Sequence, residues 1–322
     1  MKKYPLKLSY IPKSAIWGGT RLAREWGKQS TDEAIAETWE LSVRSREMAM
    51  IQNGDAKGLS LAEYFSVCGA DCVSPEYRLE DRFPLLIKFI DAEDRLSVQV
   101  HPDDDYASRV EHDSGKTEMW YIVDADEGAS IVYDLCDGVD RADFSQAVRE
   151  KKTETVLRSC PVTPGESYFI PAGMVHAIGK GILIAEIQQN SDLTYRIYDY
   201  ERRQPDGTLR ALHTEKAMDV VRSFTKEEVD AIRFANGKTD ETTLANSAYF
   251  RVHRYAVGSS DETWRGCVGA ESFAALLCIG GEGYILYEGE KYPMQKGDSY
   301  FLPAGMGDYS VVGDLCWLTS EI

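Results

Sequence analysis

Three short runs of this sequence carry residues able to hold a metal ion and move protons. In Leu96-Ser97-Val98-Gln99-Val100-His101-Pro102, apolar and polar residues alternate strictly. A strand period of two puts Leu96, Val98 and Val100 on one face and Ser97, Gln99 and His101 on the other. Core burial alone does not explain a hydroxyl, an amide and an imidazole in one row, so that face wants a ligand. Pro102 then ends ladder pairing. Lys116-Thr117-Glu118-Met119-Trp120 alternates again and brings Lys116, Glu118 and Trp120 together. In GESYFIPAGMVH (165–176), Gly165 makes a turn and Tyr168 to Ile170 a strand. Pro171 and Gly173 break that strand, and the next one starts by pointing His176 inward. Gln99, His101, Glu118 and His176 thus offer two imidazoles, a carboxylate and an amide oxygen. The set suits one Zn²⁺ per chain, with Mn²⁺, Co²⁺ or Fe²⁺ as alternatives. His112, His213 and His253 have no comparable context.

The elements that must position these residues are mostly strands. Short alternating runs bounded by Gly, Pro and Asp fill residues 84–200 and 248–322. Helical patterns fall at 31–40 (TDEAIAETWE), at 59–68 (LSLAEYFSVC) and twice within 213–235. The last of these opens on Thr225 with Glu228 three residues on, a capping-box spacing. The polar stretch 236–247 predicts a boundary between an N-terminal metal-binding unit (1–235) and a C-terminal degenerate copy (236–322).

That copy shows as an internal repeat. GESYFIPAGMVH at 165–176 recurs as GDSYFLPAGMGD at 297–308. Upstream, YIVDADEGASIVY (121–133) has a looser echo in CIGGEGYILY (278–287), each read as strand, Gly-rich turn and strand. His176 corresponds to Asp308, and nothing in the second copy matches the Gln99–His101 pair or Glu118. The second copy keeps the turn chemistry and drops the ligands. The spacing Gly165-x5-Pro171-x-Gly173-x2-His176 resembles the second sequence motif of the cupin superfamily, small jelly-roll barrels with a metal in the mouth. The fold expected is mainly β, two cupin-type jelly-roll barrels with a few short helices.

Bulk composition narrows the function. The chain has 322 residues, 43% of them hydrophobic, which is ordinary for a globular protein. Its 36 basic and 53 acidic residues leave a net charge of −17. A surface this acidic repels phosphate backbones, so nucleic acid is not an expected partner. A site for an anionic substrate then needs its own cations. No apolar stretch approaches a membrane span, and the N-terminus does not read as a signal peptide. Seven scattered cysteines without a CxxC pair point to reduced thiols and a cytoplasmic protein.

IWGG (16–19), DRFPLLIKFID (81–91), LSVQVHPDD (96–104), GKTEMWY (115–121), PAGMVHAI (171–178) and QQNSDLTYRIYDY (188–200) together resemble the type I mannose-6-phosphate isomerases, in their short bacterial form. The resemblance implies a zinc-dependent interconversion of mannose 6-phosphate and fructose 6-phosphate, with Gln99, His101, Glu118 and His176 as ligands and Arg196 as catalytic arginine. Such a reaction moves a proton between C1 and C2 through an enediol, building negative charge on an oxygen that a metal or fixed cation stabilises. Within the family-like motifs, Lys88, Lys116 and Arg196 are the basic residues available to a sugar phosphate. Ser97 and Trp17 are further substrate contacts. Lys116 and Glu186 are the candidates for proton exchange. The expected partner is a small sugar phosphate, with the chain a monomer or weak homodimer. Two other readings compete. An iron-dependent dioxygenase usually carries a His-x-His pair where this chain has Gln99-x-His101. A non-catalytic sugar-phosphate-binding cupin would lack ligands or basic residues that the first copy retains.

Overall fold

The runs Leu85–Ala92 and Ile182–Gln189 pair antiparallel along their whole length, from Ile182 opposite Ala92 to Gln189 opposite Leu85. All their residues are buried, which explains near-continuous apolar sequence where one-sided strands would alternate. In this computed structural model every residue is described except Glu33, Ser45, Arg46 and 236–241; at 233–235 and 260–261 the backbone alone is described. The two runs form the centre of a six-stranded sheet, in the order Ser167–Ile170, Glu118–Ala125, Ile182–Gln189, Leu85–Ala92, Glu37–Leu41, Ile11–Lys13.

One face of this sheet packs against a five-stranded sheet ordered Leu157–Pro161, Ser130–Leu135, His176–Ala177, Val98–Val100, Tyr195–Tyr198. Ile90, Trp120, Ile122, Tyr168 and Ile184 meet Ile131, Tyr133 and Ile178 between them. The opposite face, through Ile87, Phe89, Met119 and Ile187, packs on helix Leu61–Cys68 and on the C-terminal unit. Helices Arg141–Arg149 and Thr214–Val220 cover the outside of the five-stranded sheet through Phe144, Ala217 and Val220. The metal-ligand candidates therefore lie where two sheets face each other.

The C-terminal strands form one seven-stranded sheet dominated by the long runs Arg251–Val268, Ala274–Tyr287 and Gly307–Glu321. Its far member is Leu6–Lys7, whose residues pair with Phe301 and Tyr300. The sheets are open and do not close into hydrogen-bonded barrels. The expected boundary falls partly on 236–241, outside the described residues. No helix among the described residues is long and apolar enough to cross a membrane. Cys68, Cys72, Cys136, Cys267, Cys278 and Cys316 are free thiols.

Three local expectations are corrected. The described residues of 31–40 are not helical: Glu37–Leu41 is a strand, paired with Leu85–Ala92 on one side and Ile11–Lys13 on the other. Two-sided pairing outweighs the helix propensity of a Glu- and Ala-rich segment. CIGGEGYILY contains no turn, because it lies within the single strand Ala274–Tyr287, bent by a bulge at Cys278/Gly280. Leu96 precedes the strand Val98–Val100 and packs into the inter-sheet core, whereas Val98 and Val100 face outward. The helices at 61–68, 214–220 and 226–235 form as expected. At the last, Thr225 Oγ1 accepts from Glu228 N and Thr225 N donates to Glu228 Oε2.

Candidate metal centre and active site

Cross-strand register lines up the site. On the five-stranded sheet, Arg196 is opposite Gln99 and Gln99 is opposite His176, so the three side chains share the inward face. On the facing sheet Glu186 is opposite both Trp120 and Lys88, with Glu118 one pleat away from Trp120. The Gly165 turn (φ 94°) and Gly173 (φ 89°) set the approach to His176. Gly173 N donates to His101 O at 2.9 Å, tying the two histidine segments together. A Cβ on Gly173 would come within 2.7 Å of the Arg222 side chain, so the turn has no room for another residue.

His101, Glu118 and His176 are buried and bring one ligand atom each within 4.8 Å of the others. His101 Nε2 lies 3.1 Å from His176 Nε2, and each lies 3.4 Å from a Glu118 oxygen. Their Nδ1 atoms face backbone carbonyls, His101 that of Leu193 at 2.7 Å and His176 that of Met174 at 2.9 Å. A carbonyl only accepts, so each Nδ1 carries the proton and each Nε2 presents its lone pair to the site. Two lone pairs and a carboxylate converge on one point, where the Lys116 ammonium lies 3.2 Å from His101 Nε2 and 2.9 Å from Glu118 Oε2. Neither Glu118 oxygen takes a hydrogen bond; Lys116 Nζ forms an ion pair with Oε2 at 2.9 Å. A cation at the focus satisfies all three groups. The Gln99 amide lies 3.4 Å from His176 Nε2 with its nitrogen nearer; a half-turn of the amide would bring its oxygen there instead.

Electrostatics agree with ligation. Burial, reinforced by Lys116, pushes His101 down to about 3, so its imidazole stays neutral. Burial likewise lowers His176. Burial opposes the charge of Glu118, but the adjacent Lys116 ammonium leads the interactions that offset it and hold the carboxyl well below its usual range.

A cleft of about 310 Å³ opens over this cluster. Its lining brings together seven of the expected residues: Trp17, Lys88, Ser97, Gln99, Lys116, Glu186 and Arg196. The other three lie behind Gln99 and Lys116, which touch them. Lys88 Nζ bridges Glu37 and Glu186, 3.4 Å from each. Glu186 Oε1 accepts from Trp120 Nε1 at 2.9 Å, while Oε2 is buried without a hydrogen bond. Burial and the nearby Glu118 raise the Glu186 pKa. Burial opposes the charge on Lys88, but Glu37 and Glu186 win and raise its pKa. Arg196 donates to Ala211 O at 2.8 Å and its backbone N–H to His213 Nδ1 at 3.1 Å. A second cavity of similar volume opens beyond Ile178, over Arg95, Glu154 and Tyr200, away from the ligand atoms.

Glu37, Asp192 and Arg210 also line the cleft and were not anticipated. Glu37 lay hidden in the segment read as helix, although its alternation with Trp39 is a strand signal. In the second copy Cys267 and Asp308 line an open surface depression, and no ligating cluster occurs there among the described residues.

Residues 6–151 match the family model for the phosphomannose isomerase type I catalytic domain, and residues 240–321 that for the mannose-6-phosphate isomerase cupin domain. A mannose-6-phosphate isomerase of Bacillus subtilis is 36% identical over 320 residues, covering 97% of each chain. Another from Streptococcus mutans is 34% identical over 317 residues, covering 97% of this chain and 96% of its own. The crystal structure of a Bacillus subtilis mannose 6-phosphate isomerase superposes with a TM-score of 0.88 at 33% identity, covering 99% of both chains. A zinc-bound mannose 6-phosphate isomerase, 15% identical, shares the fold with a TM-score of 0.78 over 98% of both chains.

Proposed function

This chain belongs to the type I mannose-6-phosphate isomerase family, and from that premise we propose that it is a zinc-dependent enzyme interconverting mannose 6-phosphate and fructose 6-phosphate. The observation that carries the reading is the convergence of two unprotonated imidazole nitrogens and a buried carboxylate beneath a cleft that also holds Lys88, Lys116, Glu186 and Arg196. His101, Glu118 and His176, with Gln99 as fourth ligand, would hold the ion. A zinc ion held there would supply Lewis-acid stabilisation of negative charge developing on a sugar oxygen.

The remaining chemistry falls to the chain's own side chains. Glu186, with Oε2 free of hydrogen bonds and its basicity raised by burial, takes the proton from C2 of the aldose. The C2–H electron pair becomes the C1–C2 double bond, and the carbonyl electrons move onto O1. Transfer of the O2 proton to O1 and return of the first proton from Glu186 to C1 give the ketose, so neither protons nor electrons enter or leave overall. Lys116 offers its ammonium to the developing oxyanion. Lys88 keeps Glu186 oriented and balances its charge, and Arg196 faces the negative substrate from the opposite sheet. Trp17 and Ser97 wall the cleft and exclude water. We propose further that residues 1–235 carry the site and 236–322 buttress it; limited proteolysis should cut first within 236–247, and first cleavage elsewhere would count against that division.

A coupled assay on the zinc-loaded enzyme should show mannose 6-phosphate turnover that a chelator removes and zinc restores. Absence of turnover after reconstitution with zinc, manganese and cobalt would overturn the reading.

A further inference from the structure

The basic lining of the cleft extends beyond Arg196. After Tyr195–Tyr198, two successive non-glycine residues, Tyr200 (φ 57°) and Glu201 (φ 54°), take the left-handed conformation. Such a pair persists only where its surroundings enforce it. The Tyr200 ring is held by the Arg95 guanidinium at 3.6 Å and by the Tyr198 ring at 4.9 Å. A hairpin follows, in which Arg203 bridges Leu209 and Gln204 N donates to Thr208 O at 2.8 Å. This hairpin returns Arg210 to the buried Asp199, where Nε donates to Oδ2 at 2.7 Å and Nη2 to Oδ1 at 2.5 Å. A forked pair of this kind fixes the plane of the guanidinium. Nη1 is left without a hydrogen bond among the described residues, and Arg210 lines the same cleft as Arg196.

Charge balance gives the arrangement its meaning. Glu37 and Glu186 are engaged by Lys88, and Asp192 interacts with Lys13 and Lys88. Asp199 is shared by Arg202 and Arg210. Arg196 has a buried Nε with no hydrogen-bond partner and feels both neighbouring arginines. Crowding guanidiniums at one end of a cleft costs energy unless an anion joins them.

We propose that Arg210, aligned by the positioning residue Asp199, grips the substrate's phosphate together with Arg196 and sets the preference for phosphorylated sugars. The inference rests on the sugar-phosphate isomerase reading and names the residue that selects that substrate class.

The test compares Arg210→Ala, Arg210→Lys and Asp199→Asn in the zinc-loaded enzyme. Arg210→Ala should raise KM for mannose 6-phosphate and weaken inhibition by inorganic phosphate in parallel, each by about 10- to 100-fold, as for loss of one charge-assisted donor. The loss should exceed any change in kcat. Arg210→Lys should recover part of it, keeping the charge without the fork. Asp199→Asn should move the same two constants by a smaller factor; if that variant does not fold, the two Arg210 variants decide. Calorimetric titration with inorganic phosphate needs no turnover and separates the two ideas. Phosphate affinity lost on Arg210→Ala in an enzyme that turns over no sugar phosphate would support the anion site and refute the isomerase reading. Turnover in wild type with phosphate affinity within about twofold in folded Arg210→Ala would overturn the inference and leave that reading standing.

Discussion

Replacing Asp134 with Asn should stabilise this protein at pH 8 and do little at pH 4. Asp134 is fully buried, neither carboxylate oxygen has a hydrogen bond, and its backbone is left-handed (φ 76°). Burial pushes its carboxyl from 3.8 up to about 7; backbone N–H groups and Arg158 pull the other way, while Glu228 adds to the rise. Because the folded-state value is raised, the folded protein binds a proton that the unfolded chain releases. Stability from this group is therefore complete below about pH 4, falls as pH rises, and levels off above about pH 7. Three units at 1.36 kcal/mol each bound the loss at about 4 kcal/mol. Asn matches the shape, carries no charge, and is among the residues that best tolerate a left-handed backbone. Denaturant unfolding of both proteins from pH 4 to 8 should show the variant's advantage growing by about 1 kcal/mol per pH unit, to about 2–4 kcal/mol above neutrality. A pH-independent difference, or a variant less stable at pH 8, would refute the account. The effect also bears on the site, since Asp134 N donates to Val175 O at 2.8 Å, next to His176.

Lys28→Met should destabilise the protein by about 3–5 kcal/mol, because it strands a buried carboxylate: Lys28 Nζ reaches Glu40 at 2.6 Å and Gly297 O at 2.7 Å. Adding Glu40→Leu should recover much of that loss in denaturant unfolding, and a double variant no better than the single one would exclude a charge origin. Glu186→Gln should lower kcat by about 10²–10⁴-fold while zinc content stays at the wild-type level; a fall confined to metal content would remove Glu186 from proton transfer.

How much of this was legible in the sequence depends on whether a feature is set locally or by distant pairing. Gln99, His101 and Glu118 were readable because strand alternation alone separates their face from the aliphatic one. His176 was readable because the second copy repeats its turn without the imidazole. The segment 31–40 misled because its Glu and Ala content favours a helix, and only contact with Leu85–Ala92, far along the chain, makes Glu37–Leu41 a strand. Leu96 departs from its alternating neighbours because pairing begins only at Val98. The Gly-rich stretch stays within a continuous strand with a bulge between Cys278 and Gly280, since Ala274–Tyr287 is paired with Gly307–Glu321 on both sides of it. Arg210 had no local signal: a left-handed turn and a hairpin deliver it to the cleft, and the residues between it and Arg196 give no period to read.

The most direct test of the central claim is metal content measured together with mannose 6-phosphate turnover, on wild type, His176→Ala and Asp308→Ala. The two positions occupy the same place in the repeat, but only His176 belongs to a ligand cluster. Wild type and Asp308→Ala should each carry about one zinc ion per chain and turn over substrate, while folded His176→Ala should lose both together. Equal metal content in all three proteins, or full turnover by metal-free His176→Ala, would contradict the account.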